Sequence, residues 1–192
     1  MGPILSLSLR QLASRWRLLL ILLLAALPVT LAAVISAVAG DSESYKVNFI
    51  NTLLDGMMVG AIMPIVTMAL ATATFGDEVA DRTLSYLVLK PVPRSLIVLP
   101  KLLASIVVAG PLIVASGVIA ALLGLEGDGQ AALAVGVALL AGVVAYAAIF
   151  TWAGLVTTRA LGFALIYVFL WEGVISSFLG GVRYLSVRGY TL

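Results

Sequence analysis

Whatever chemistry this chain performs must come from few groups. It has no cysteine and no histidine, which excludes disulfides, thiolate nucleophiles, imidazole bases and Cys- or His-ligated metals. Its nine acidic residues are scattered over many polar segments, which argues against a carboxylate-only metal site. No nucleophile has a base partner, and no acidic pair shares a helix face inside an apolar run. No Gly-rich loop ending in Lys-Ser or Lys-Thr is present, so the chain holds no phosphate-binding loop and reads as a non-enzyme without a cofactor of its own. Energy for any work must arrive through a partner.

Two acids approach or enter apolar runs, Asp55 and Glu172. A carboxylate in hydrocarbon costs about 2.5 to 3.5 kcal/mol, so such residues are functional candidates. Both fall near the outer ends of their runs, where water lowers the cost. Glu172, beside Trp171, is a path candidate or an interfacial carboxylate paired with Arg183 or a helix end.

The densest charge lies from Phe75 to Lys101, FGDEVADRTLSYLVLKPVPRSLIVLPK. Asp77, Glu78, Asp81 and Arg82 are followed by Lys90, Arg94 and Lys101, between two long apolar runs. In a chain 62% hydrophobic and 10% charged, such an island is expected in water, offering a docking face. It divides into an amphipathic helix and a return turn. Thr83, Leu84, Tyr86, Leu87 and Leu89 supply the apolar side, and Asp77, Glu78, Asp81 and Arg82 the charged side. Gly76-Asp77 is expected to break the preceding helix and cap the new one. Lys90-Pro91-Val92-Pro93-Arg94 ends it, because each proline biases its predecessor away from helix. By composition alone, the same residues fit an ordinary solvated loop.

The elements that must position this island are membrane spans, because several apolar runs exceed about 18 residues. An all-α integral membrane protein is expected, with five spans at about 18–39, 49–74, 95–123, 131–156 and 160–179, forming one domain over 1–192. Ala37-Val38-Ala39 before Gly40 resembles a signal-peptidase site, yet the 18–39 run is longer than a signal core. Residues 1–17 read as an interfacial elbow or a plain positive flank of Arg10, Arg15 and Arg17 with Trp16. With the N-terminus inside, eight Lys and Arg fall on inner segments and three on outer ones, so the N-terminus and the island are expected in the cytoplasm.

Span 2 carries Gly56, Gly60 and Pro64 at spacings of four, read as one helix face, and span 3 carries Gly110-Pro111. These are path or hinge candidates, or routine packing, since glycine and proline are frequent in membrane helices. The turn 124–130 closes span 3.

The island resembles the hallmark segment of type-2 ABC (ATP-binding cassette) transporter permeases. That pattern has an acid, then Gly-Thr-Leu, apolar residues, Pro-Val-Ser/Pro-Arg and a final Gly-Lys-Leu. Glu78, Thr83-Leu84, Pro91-Val92, Pro93-Arg94 and Lys101-Leu102 stand in those places. Arg82 replaces the Gly before Thr-Leu, and Pro100 replaces the Gly before Lys101. The basic N-terminal segment, Thr157-Thr158-Arg159 and the stretch from Trp171 to Ser186 match more loosely.

The resemblance implies a permease subunit of an exporter, with a sixth span beyond the five. It implies a plasma-membrane location, a second permease copy or related subunit, and contact with lipid; the small net charge of +2 gives no argument for nucleic acid. A cytoplasmic ATPase, which would bind ATP and magnesium, would dock on the 75–90 coupling helix through Glu78, Asp81, Arg82, Thr83, Leu84, Tyr86 and Leu87. Pro91, Pro93 and Arg94 would turn the chain back into the membrane. The apolar spans suit a hydrophobic or amphipathic cargo, leaving lipid, drug, peptide and polysaccharide all compatible. A non-transporting scaffold that recruits a soluble partner through the same segment is the alternative.

Overall fold

The computed structural model of the chain describes residues 15–39, 48–80, 95–125, 127–156, 162, 165 and 166. These form α1 (Arg15–Ala39), a π-helical segment (Ile50–Ile62), α2 (Met63–Ala80), α3 (Ser95–Gly124) and α4 (Gly129–Val156). Among the described residues, four stretches are long and apolar enough to cross a membrane: Leu19–Val38, Thr52–Thr72, Val98–Gly124 and Gly129–Val156. The shortest has 20 residues, about 30 Å of α-helix and the thickness of a hydrocarbon core. The expected fifth span, 160–179, lies almost wholly outside the described residues.

The core is a three-helix arrangement. α4 packs most extensively on α3 and next on α2, and α1 sits outside against α3 and the π-segment. One cluster joins Met58, Met63, Val66, Leu70, Ile113, Leu139, Tyr146 and Phe150; a second, nearer the α3–α4 turn, joins Ala32, Phe49, Leu53, Ala120, Ala121 and Ala132. Tyr146 and Phe150 stack with centroids 5.5 Å apart, one turn apart on α4.

In lipid no hydrophobic force drives helices together, so small residues and interhelical hydrogen bonds must hold them. α1 follows that rule. Its buried positions are Ile21, Ala25, Pro28 and Ala32, a stripe on one helix face, while Leu19, Leu20, Leu23, Val34 and Val38 stay exposed. From α3, Ser116 Oγ donates a hydrogen bond to the Ala25 carbonyl, in the turn where Pro28 removes an amide donor.

α3 and α4 approach each other, and α3 approaches Phe49, through glycine. A Cβ at Gly117 would overlap the Leu139 side chain, one at Gly124 the Phe49 ring, and one at Gly136 would sit 2.9 Å from Val118 Cγ2. Their connection is chemically specified. Gly127 adopts φ +79°, a conformation that favours glycine. Its amide donates to the Leu122 carbonyl at 2.9 Å, satisfying a carbonyl left over at the helix end. Asp128 Oδ1 accepts from the amides of Gln130 (2.9 Å) and Ala131 (3.2 Å), capping α4.

Candidate functional site

The charged island joins the end of α2 to the start of α3. Its first residues depart from expectation: α2 runs unbroken through Gly76-Asp77 to Ala80, so no break or new cap occurs there. Glycine weakens a helix interior by about 1 kcal/mol but leaves its amide ladder intact, unlike proline. Glu78 therefore lies on the backbone of α2. Asp81, Arg82, Thr83, Leu84, Tyr86, Leu87, Pro91, Pro93 and Arg94 lie outside the described residues, as does Glu172.

Lys101 departs further. Counted with the charges expected in water, it is 3% exposed on α3. The helix is already packed at Pro100 and Lys101, so span 3 joins the bundle within two turns of Ser95. Thr72, Ser105 and Thr151 are also buried. The hydroxyls of Thr72 and Ser105 donate to carbonyls of their own helices, Met68 at 2.7 Å and Leu102 at 2.7 Å. Among the described residues, Thr151 Oγ1 is buried with no hydrogen-bond partner, a state that costs about 1 to 3 kcal/mol. Sequence reading missed this group, because a threonine among Ile149, Phe150 and Trp152 carries no local sign of its neighbours.

The path or hinge candidates divide. Ile50–Ile62 is wound as a π-helix, whose last bond runs from the Met63 amide to the Met58 carbonyl. Spacings of four then do not give one buried stripe: Gly56 is exposed, Gly60 half-buried and Pro64 buried. Pro64 falls just past the switch from π to α winding, where the wider turn relieves the clash of its ring with the carbonyl four residues back. Thr67 Oγ1 donates to the Met63 carbonyl at 2.6 Å and also contacts that of Pro64 at 3.2 Å, serving the backbone around that switch. Pro111 is exposed within an unbroken α3, whereas Gly110 is buried. Asp55 is half-buried on the π-segment. A cavity of about 310 Å³ is lined by Leu31, Ile35, Asn48, Phe49, Thr52, Leu53 and Met57 and not by Asp55.

Long apolar helices packed by small residues, with an exposed apolar surface, define a multi-pass α-helical membrane protein. The family model described as ABC-2 family transporter protein matches residues 13–182. The chain belongs to that family, and it is therefore a permease component of an ABC transporter, whose partner is an ATP-binding subunit. No curated protein and no solved structure gives a significant match.

Proposed function

We propose that this chain is the permease subunit of an ABC exporter in the plasma membrane, driven by a separate ATPase docked on the segment that joins α2 to α3. Two copies, or one copy and a related permease, form the translocation path. The N-terminus and the docking segment face the cytoplasm, where the Lys and Arg excess falls. The observation that carries this reading is family membership over 13–182, together with a charged stretch whose two flanking helices both pack on α4. Force applied at that stretch would reach α2 and α3 directly, and both belong to the packed core that a path must rearrange.

Glu78, Asp81, Arg82, Thr83, Leu84, Tyr86 and Leu87 form the proposed docking surface, with Pro91, Pro93 and Arg94 as its return turn. ATP and magnesium belong to the partner. Replacing Glu78 and Leu84 together by alanine should abolish co-purification of the ATPase, or cargo-stimulated hydrolysis, while membrane insertion persists. Normal co-purification and stimulation in that variant would remove the docking assignment.

A further inference from the structure

Where α1 ends and the π-segment begins, the two elements enclose the cavity of about 310 Å³. Its apolar walls come from Leu31 and Ile35 of α1 and from Phe49, Leu53 and Met57 of the second span, and its polar lining from Asn48 and Thr52. Asn48 and Thr52 are exposed, whereas Phe49 and Leu53 are buried, so the polar pair stands at the mouth. Ile35, Asn48 and Thr52 lie near the ends of the spans Leu19–Val38 and Thr52–Thr72, and Leu31 and Met57 lie further in. The cavity therefore runs from the polar boundary toward hydrocarbon depth.

The winding of the second span makes this cavity. Asn48 and Met57 are nine residues apart, about 2.5 turns of an α-helix, which would set them on opposite faces. In the π winding of Ile50–Ile62 each bond spans one residue more, so each turn takes more residues. Asn48, the Thr52–Leu53 pair and Met57 then share one face, turned toward α1. Such winding is frequent at functional sites. The inner wall is fixed from behind, since the Phe49 ring fills the space at Gly124 of α3 and Leu53 belongs to the same buried cluster.

We propose that this cavity is a lipid site, which holds the upper part of one acyl chain of a bilayer phospholipid while Asn48 or Thr52 donates a hydrogen bond to its ester carbonyl. Cavities with such walls exclude water and take hydrocarbon guests. At the depth of Leu31 and Met57 the surrounding solvent is itself hydrocarbon, so a lipid chain is the guest present in excess. The volume falls at the lower end of the range of about 300 to 1,000 Å³ for small-molecule sites, room for a length of one chain and not for a whole phospholipid. Uncharged amide and hydroxyl donors suit an ester carbonyl. A phosphate would call for Lys or Arg, and neither is among the lining residues. An apolar side chain from a second permease copy would leave both donors at the mouth without an acceptor. The site uses neither the docking segment nor the direction of transport, so either assignment can fail alone.

The test uses the full chain in phosphatidylcholine vesicles that contain a trace of phosphatidylcholine with a diazirine a few carbons below one ester. After illumination, labelled residues are mapped by peptide mass spectrometry. Leu31 and Met57 should be labelled well above Leu133 and Val137, exposed apolar residues of α4 that line no part of the cavity. Ile35→Trp, which fills the cavity, should bring both down to the α4 level. The double variant Asn48→Leu with Thr52→Val should lower the labelling about threefold, as loss of a neutral hydrogen bond does, and so should an ether-linked form of the probe on the wild type. Labelling no higher than on α4, or unchanged in Ile35→Trp, would overturn the site. The first of these results, with Leu31→Cys crosslinking to itself, would give the cavity to a second copy instead. If Ile35→Trp does not fold, equal labelling by the ether-linked and ester-linked probes is sufficient to overturn the proposal.

Discussion

At the scale of single residues, the tightest constraints are places where a side chain is missing. Gly110, Gly117 and Gly124 recur every seven residues on α3 and are all buried. That period could have marked the packed face of α3 from sequence, since residues seven apart share a helix face. Gly124→Ala should destabilise the protein by about 1 to 3 kcal/mol, the usual range for overpacking, because the buried Phe49 ring occupies the space. Gly129→Ala, with nothing within 4 Å, should be neutral or slightly stabilising. Thermal unfolding of both variants in one detergent checks the contrast. Lys101 shows where residue-level reading fails. Charge counting treats a lysine after a proline-rich turn as a solvated flank, whereas Lys101 is buried on a helix that packs against α1, α2 and α4.

At the scale of elements, much was legible. The expected spans 18–39, 95–123 and 131–156 lie close to α1 (Arg15–Ala39), α3 (Ser95–Gly124) and α4 (Gly129–Val156). Contiguous apolar runs and a Gly- and Asp-rich turn mark such limits directly. The π winding of Ile50–Ile62 was not legible, since apolar composition serves α and π windings alike and Pro64 marks only its far end. The continuation of α2 past Gly76-Asp77 was missed because a glycine lowers helix propensity without removing a hydrogen bond.

α1 presents an element-scale prediction. It packs chiefly on α3 and the π-segment, through small residues and the Ser116–Ala25 bond. Ser116→Ala should weaken its attachment by about 0.6 kcal/mol, the average for such bonds in membranes. The effect should appear as faster proteolysis at the α1 boundary with little change in the α3–α4 pair. Equal loss of protection across all helices would mean that α1 is integral to the core.

At the scale of the whole molecule, family membership identifies a permease component, and the orientation remains a proposal from charge. A natural chain without cysteine makes it directly testable. Asp128→Cys, exposed in the α3–α4 turn, should react with a membrane-impermeant thiol reagent on intact cells, and Lys90→Cys only after permeabilisation. The reverse pattern would invert the topology. The candidate docking site was legible in the sequence only as a pattern of residue types, because nothing within 81–94 specifies the surface it meets.

The central claim is that the segment between α2 and α3 touches the ATPase. Introducing Leu84→Cys into the cysteine-free chain, and crosslinking within the assembled complex, measures that contact directly. A crosslink to the ATP-binding subunit is expected from position 84, altered in yield by ATP, and none from Leu133→Cys near the opposite end of the bundle. An intact complex that crosslinks at position 133 and not at position 84 would contradict it.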